Sequence, residues 1–114
     1  MRILIVDDYP GLVELYDFAL AARGISVVGA ANASQALSLA AGQDFDAVVL
    51  DLQLPDGSGH ELSRRLRGMP QLADRPFVAI SSFDRDEVKH GFDAYLSKPV
   101  HPKRLASVLR RLAA

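Results

Sequence analysis

The chain has 114 residues, room for one compact domain at the usual ~100–200 residues per domain. With 49% hydrophobic and 24% charged residues it can bury a core, which excludes a disordered chain. Thirteen Lys and Arg against 14 Asp and Glu leave a net charge of -1, so bulk electrostatic binding to nucleic acid or to an anionic membrane is excluded. The absence of Cys excludes a disulfide framework, a thiolate metal site and a Cys nucleophile.

The first apolar run, Ile3 to Val6, meets Asp7 too early to be a signal peptide or a membrane span, so a cytoplasmic location is expected. Three further branched runs follow at Ile25 to Val28, Ala47 to Leu50 and Phe77 to Ile80, with a weaker fifth at Ala94 to Leu96. None alternates with polar residues, as expected of strands in a parallel sheet covered on both faces. The intervening segments have helical spacing. Pro10 to Arg23 places Leu12, Leu15, Tyr16 and Leu20 on one stripe and stops at Gly24. A second helix, capped by Asn32 or Ser34, carries Ala36, Leu37, Leu39 and Ala40 and ends at Gly42. Ser58 to Gly68 turns Leu62 and Leu66 inward and leaves Arg64, Arg65 and Arg67 largely outward. A short polar segment from Asp84 to His90 ends at Gly91, and Pro102 to Ala113 carries Leu105, Val108, Leu109 and Leu112 behind an N-terminal proline.

Five strand–helix repeats predict an α/β fold, a doubly wound, flavodoxin-like five-stranded parallel sheet, with function at the carboxyl ends of the strands. The residues just past those ends are Asp7 and Asp8, Asp51, Ser81 and Lys98. In the order 2-1-3-4-5 the first and third strands are neighbours, so three carboxylates converge. Each pair ~5 Å apart repels by roughly 3 kcal/mol at an effective dielectric of about 20, which calls for a cation. An all-oxygen donor set favours a hard divalent ion such as Mg²⁺. A carboxylate beside such an ion, with a hydroxyl and an ammonium opposite, suits phosphoryl transfer, and Asp51, alone at the tip of the central strand, is the natural nucleophile. Ordinary roles exist for each residue singly. Asp8 could cap the helix at Pro10, Pro55, Asp56 and Gly57 could form a plain turn, Ser81 could bond its own backbone and Lys98 could be a solvated loop lysine. Their joint placement on successive strand ends argues against that reading.

Val6-Asp7-Asp8, Val49-Leu50-Asp51-Leu52 with Leu54-Pro55-Asp56-Gly57, Ala79-Ile80-Ser81-Ser82 and Gly91-Phe92-Asp93-Ala94-Tyr95-Leu96-Ser97-Lys98-Pro99, in this order, resemble the response-regulator receiver domain of bacterial two-component signalling. The resemblance covers essentially the whole chain and implies a single receiver domain over 1–114. It implies Asp51 as phosphoacceptor, Asp7, Asp8, Asp51 and the Gln53 backbone carbonyl as Mg²⁺ ligands, and Ser81 and Lys98 as phosphoryl contacts. Ser81 and Tyr95 would be the switch pair, and Lys98–Pro99 a cis peptide. The phosphoryl group would come from a histidine kinase or histidine phosphotransfer protein. The output would be a shift of the face formed by the fourth helical segment, the fifth strand and the last helix, controlling a downstream protein or output domain, with a homodimer on activation as one option. Tyr95 is expected to sample inward and outward rotamers, with the outward one dominant before phosphorylation, and Phe83 is expected to overhang the site and exclude water, prolonging the phosphorylated state.

An aspartate-nucleophile, Mg²⁺-dependent phosphatase would use similar chemistry but wants a second Asp two residues after the nucleophile, where this chain has Gln53. A flavodoxin-like cofactor site wants a Gly- or hydroxyl-rich phosphate loop after the first strand, where Asp7-Asp8 would repel the ligand. The Arg64-Arg65 and Arg110-Arg111 pairs read as solvated helix ends complementing the macrodipole, with no direct contact to nucleic acid or membrane expected, and His90 and His101 as surface residues without a metal role.

Overall fold

The structure, a computed structural model, describes residues 1–82 and 91–113. In chain order its elements are β1 (Arg2–Val6), α1 (Pro10–Ala21), β2 (Ser26–Ala30), α2 (Ala33–Gly42), β3 (Ala47–Asp51), β4 (Gln53–Leu54), β5 (Gly57–Ser58), α3 (Gly59–Arg67), β6 (Phe77–Ser81), β7 (Ala94–Ser97) and α4 (Pro102–Ala113). The predicted segment from Asp84 to His90, with Phe83 and Lys89, lies outside the described residues. Five strands form one parallel sheet in the order β2-β1-β3-β6-β7, the doubly wound order expected, while β4 and β5 form a separate small hairpin.

The inner strands β3 and β6 are buried at every position, which explains why neither alternates. Helices cover both faces. Tyr16 and Leu20 of α1 and Leu105, Val108 and Leu109 of α4 pack on one side against Ile3, Ile5, Val49 and Val78. On the other side Ala36 and Ala40 of α2 and Leu62 and Leu66 of α3 pack against Leu4, Val6, Val48 and Leu50. Each large aliphatic side chain taken fully from water contributes roughly 1.5–3 kcal/mol, so the two layers hold the strand tips in register.

Caps set the helix boundaries. Asn32, one of the two candidates, caps α2 by accepting from the Gln35 N–H at 2.8 Å, and Ser58 caps α3 by accepting from the Glu61 N–H at 3.1 Å. At the end of α1 the chain reverses through Gly24, at φ +77°, and the Ile25 N–H returns to the Leu20 carbonyl at 3.0 Å. Among the described residues, no helix is long and apolar enough to cross a membrane.

Three expectations are corrected. Leu15 is 52% exposed and does not join the buried stripe of α1. Leu12, Tyr16 and Leu20 lie within about 80° of one another on the helix, whereas Leu15 is rotated about 60° away from Leu12, on the side shared with Phe18. Arg67 is not outward, because its guanidinium lies 4.2 Å from the centroid of the Phe77 ring and bonds Asp93 at 3.0 Å. The second strand begins one residue later and ends two residues later than its apolar run, since the register pairs Val6 with Ala30.

The loop between β7 and α4 is tied to α1: the buried Tyr16 hydroxyl donates to the Val100 carbonyl at 2.8 Å. The Lys98–Pro99 peptide in this loop is cis, as the resemblance implied. Burial, reinforced by the negative charge of Asp7 and opposed by Lys98, holds the Tyr16 phenol above its ordinary 10.0. Tyr16→Phe is expected to lower unfolding free energy by about 1–3 kcal/mol at neutral pH, because the Val100 carbonyl is left without its donor. The folded state also keeps the phenolic proton more tightly than the unfolded chain. That contribution is therefore intact below about pH 10 and is lost as pH rises through the folded value, so wild-type stability should fall more steeply than that of the variant in alkali. Urea titrations at neutral pH and above pH 10 check both.

Candidate functional site

The site is built at the tips of three adjacent strands. Asp7 follows β1 directly, and its backbone N–H donates to the Ala30 carbonyl at the end of β2, at 3.0 Å. Its Oδ1 accepts from the Tyr9 N–H at 2.9 Å, which turns the chain into α1. Tyr9, not Asp8, is the N-cap residue of α1, without a side-chain cap bond. Asp8 is thus exposed and free of the capping role open to it in the sequence. Asp51 is the last residue of β3, and its Oδ1 accepts from the Gln53 N–H at 3.0 Å. One carboxylate oxygen from each of Asp7, Asp8 and Asp51 lies within 4.8 Å of the others, and Asp7 and Asp51 are buried.

Into this cluster reaches Lys98, from the segment after β7. Its Nζ lies 2.7 Å from Asp51 Oδ2 and 3.5 Å from Asp7 Oδ2. Partial burial is the largest single influence on the ammonium and disfavours its charge. The hydrogen bond to Asp51 and the charges of Asp7 and Asp51 together outweigh it and hold the pKa above the ordinary 10.5. Ser81, at the end of β6, is buried one residue beyond the register partner of Asp51, and its carbonyl accepts from the Lys98 N–H at 2.9 Å. Strand tips and backbone bonds therefore converge Asp7, Asp8, Asp51, Ser81 and Lys98 on one crevice.

The donor set is all oxygen, anionic and partly buried. Two carboxylates at 4.8 Å repel by about 3 kcal/mol at an effective dielectric of about 20, and one ammonium offsets only part of three negative charges. The residues fit a hard divalent cation completed by water and carbonyl oxygen.

The sequence profile described as the response regulator receiver domain matches residues 3–110. The chain belongs to the response-regulator receiver domain family. The receiver domain (CheY-like) structure from Methylobacillus flagellatus is 34% identical, with a TM-score of 0.89 over 98% of both chains. TrrA of Thermotoga maritima, solved in complex with Mg²⁺ and BeF, is 27% identical, with a TM-score of 0.86 over 97% of both chains. The phosphate regulon transcriptional regulatory protein PhoB of Pseudomonas aeruginosa is 35% identical over 96% of this chain, which spans only 52% of PhoB.

One predicted switch residue stands differently from expectation. Tyr95 was expected outward, yet its ring is half-buried, edge-to-face with Phe92 at 5.5 Å and 71°, and its hydroxyl is shielded from solvent. That hydroxyl makes no hydrogen bond of good geometry among the described residues. Burial pushes the phenol above its ordinary 10.0, against a smaller opposing pull from the Phe92 backbone. Phe92 supplies a wall that the strand pattern does not announce. Gln53 lies exposed in β4, and the bond observed for it runs from its N–H to Asp51.

Other contributors went unread in the sequence. Asp56, seen as a turn former, accepts from the Ala33 and Ser34 N–H groups at 2.8 and 3.1 Å, joining the loop after Asp51 to the start of α2 and drawing its own pKa below the ordinary 3.8. Nothing in the spacing of residues 33 and 56 signals that contact. Gly59 is the residue that admits α3 to the site, since a Cβ there would lie 2.5 Å from the Asp51 carbonyl oxygen and 2.8 Å from the Leu52 Cα. The only sequence cue was its place at the start of the helical segment from Ser58 to Gly68. Gly59→Ala is expected to cost about 1–3 kcal/mol, because backbone must move to admit the methyl. Urea unfolding checks the loss, and amide spectra should show Asp51 and Leu52 displaced more than β2.

Proposed function

We propose that the chain is a cytoplasmic phosphorylation switch, one receiver unit over 1–114, in which Asp51 accepts a phosphoryl group from a phosphohistidine of a histidine kinase or phosphotransfer protein. The observation that carries this reading is the Lys98 ammonium 2.7 Å from the Asp51 carboxylate, inside a cluster of three carboxylates at the sheet edge. Asp7, Asp8, Asp51 and the Gln53 backbone carbonyl would hold Mg²⁺. Bound there, the ion would offset the charge of the carboxylates and of the incoming phosphoryl oxygens.

The chain's own residues then have distinct tasks. An Asp51 carboxylate oxygen attacks phosphorus as the donor's P–N bond breaks, and the departing imidazole keeps the electron pair and takes up a proton. The Gln53 N–H, bonded to Oδ1, orients the carboxylate. Lys98 exchanges its bond to Asp51 for one to a phosphoryl oxygen, and the Ser81 hydroxyl donates to another. The protein turns over no free substrate in this scheme; it is a signalling domain whose product is its own phosphorylated form. Movement of Ser81 toward the phosphoryl group and of Tyr95 with it would bias the surface around β7 and α4. Couplings of this type run to about 1–3 kcal/mol, roughly 5- to 150-fold in a partner's affinity.

The donor's docking surface is read from α1. Leu15 and Phe18, 52% and 82% exposed and one helical turn apart, form an apolar stripe on the helix that begins at the acidic site, and Tyr9, 64% exposed, sits at its head. A helical donor laid on this stripe would have its phosphohistidine directed at Asp51.

Mass spectrometry after incubation with acetyl phosphate should show one phosphoryl group that needs Mg²⁺, is absent from Asp51→Asn and is removed by chelation beforehand. Full labelling of Asp51→Asn would show that the nucleophile is another residue. Lys98→Ala should slow labelling on the order of 10²-fold, the scale of one lost electrostatic contact to a developing charge. Phe18→Ala should separate the two routes. Transfer from a phosphorylated donor protein falls, while labelling by acetyl phosphate, which needs no docking, stays at the wild-type rate.

A further inference from the structure

Besides Ser81, a second line of contacts runs from the neighbourhood of Asp51 to Tyr95. Leu52, next to Asp51, is buried in a small cluster with Ala79, against which Phe92 and Tyr95 pack. The Phe92 ring meets Tyr95 edge-to-face at 5.5 Å on one side and His60 edge-to-face at 5.6 Å on the other. His60 is the second residue of α3, directly after the Gly59 that abuts the Asp51 carbonyl. Three rings thus link the N-terminus of α3 to the middle of β7.

The backbone that carries Phe92 is held on both sides. The preceding Gly91 carbonyl accepts from Arg67 at 3.3 Å. The following Asp93 pairs with Arg67 at 3.0 Å, accepts from the Phe77 N–H at 2.8 Å through the same carboxylate oxygen, and donates its own N–H to the Phe77 carbonyl at 2.8 Å. Arg67 itself is stacked on the Phe77 ring. A side chain on a segment clamped to both β6 and α3 behaves as a fixed wall, whereas the Tyr95 hydroxyl makes no hydrogen bond of good geometry among the described residues. The position of Tyr95 is therefore decided by packing, and the wall it packs on is Phe92.

We propose that Phe92, fixed by the Arg67–Asp93 clamp and backed by His60, is a positioning residue for Tyr95 that favours the inward ring before any modification of Asp51. This extends the switch reading above by adding an input from α3 to the input from Ser81. Loss of the ring pair should move the inward–outward ratio of Tyr95 by about two- to tenfold.

The test follows the Tyr95 ring by NMR in wild type, Phe92→Ala and Phe92→Leu, with Tyr95→Phe assigning its signal among the three tyrosines. A soluble paramagnetic agent reports ring accessibility. In unmodified protein Phe92→Ala should raise accessibility of Tyr95 and bring its ionisation down toward the ordinary value, with Tyr16 unchanged. Phe92→Leu, which keeps apolar bulk but offers no ring face, should fall between Ala and wild type and serves if the Ala variant does not fold. Acetyl phosphate should still label Asp51 in both variants, because neither changes a residue of the carboxylate cluster or Lys98. Tyr95 accessibility equal to wild type in the folded variants would overturn the proposal, and so would a Leu variant indistinguishable from wild type. Failure of Asp51 to label in wild-type protein would instead remove the phosphoacceptor reading and leave the comparison in unmodified protein standing.

Discussion

The ammonium of Lys98 between Asp51 and Asp7 is the interaction on which the rest of the arrangement depends. Three carboxylates gathered within 4.8 Å at the edge of a sheet would push their strand tips apart. A cation 2.7 Å from one and 3.5 Å from another reverses part of that repulsion. Lys98 comes from the far end of the chain, 47 residues after Asp51, so the contact closes only when the edge strand β7 is docked on β6. Tyr16, bonded to Val100, holds the same segment from the side of α1. The charge cluster and the hydrophobic core therefore support one another: the core sets the strand tips in register, and Lys98 makes their charges compatible.

That arrangement explains why a functional site sits where the fold is least comfortable. Replacing one of the buried aspartates by a neutral residue would relieve repulsion among the three carboxylates, so their grouping costs the fold stability. The surroundings accommodate the strain through backbone donors. The Tyr9 N–H bonds Asp7 and the Gln53 N–H bonds Asp51, each fixing one carboxylate oxygen and leaving the other toward Lys98. Asp56 ties the hairpin after Asp51 to α2, and Gly59 lets α3 close against it. The Asp51 loop is in this way braced by two helices of the same layer, while Lys98 and Ser81 approach from the other side. Movement at Asp51 would be felt first by Leu52 and Ser81, both of which neighbour strands or rings in contact with Tyr95.

Much of this was legible in the chain because it is local. Apolar runs without alternation mark buried parallel strands, and the residue after the first, third and fourth runs is a strand tip, so Asp7, Asp51 and Ser81 follow from counting along the chain, with Lys98 two residues beyond the fifth run. Caps such as Asn32 and Ser58 depend on groups three residues away and are similarly readable. The handedness of the crossovers gives a doubly wound sheet, and the order 2-1-3-4-5 is that of the flavodoxin-like class. Leu15 and Arg67 were misread for a related reason. Helical periodicity gives the angle of a residue around its helix but not the width of the face its neighbours cover, and it does not say that an arginine has an aromatic ring and a carboxylate to lie against.

The sequence by itself determined the α/β class, the strand tips and the set of residue types brought to them, because these depend on periodicity and on position along each element. Only the tertiary structure decided that Lys98 reaches both Asp51 and Asp7, that Asp56 bonds α2, that Gly59 is needed for clearance and that Tyr95 rests on Phe92. Each of these is a contact between segments whose separation in sequence carries no code for their distance. Such contacts arise from how helices slide and rotate to fill the space over the sheet, a collective packing outcome that no single stretch of chain specifies.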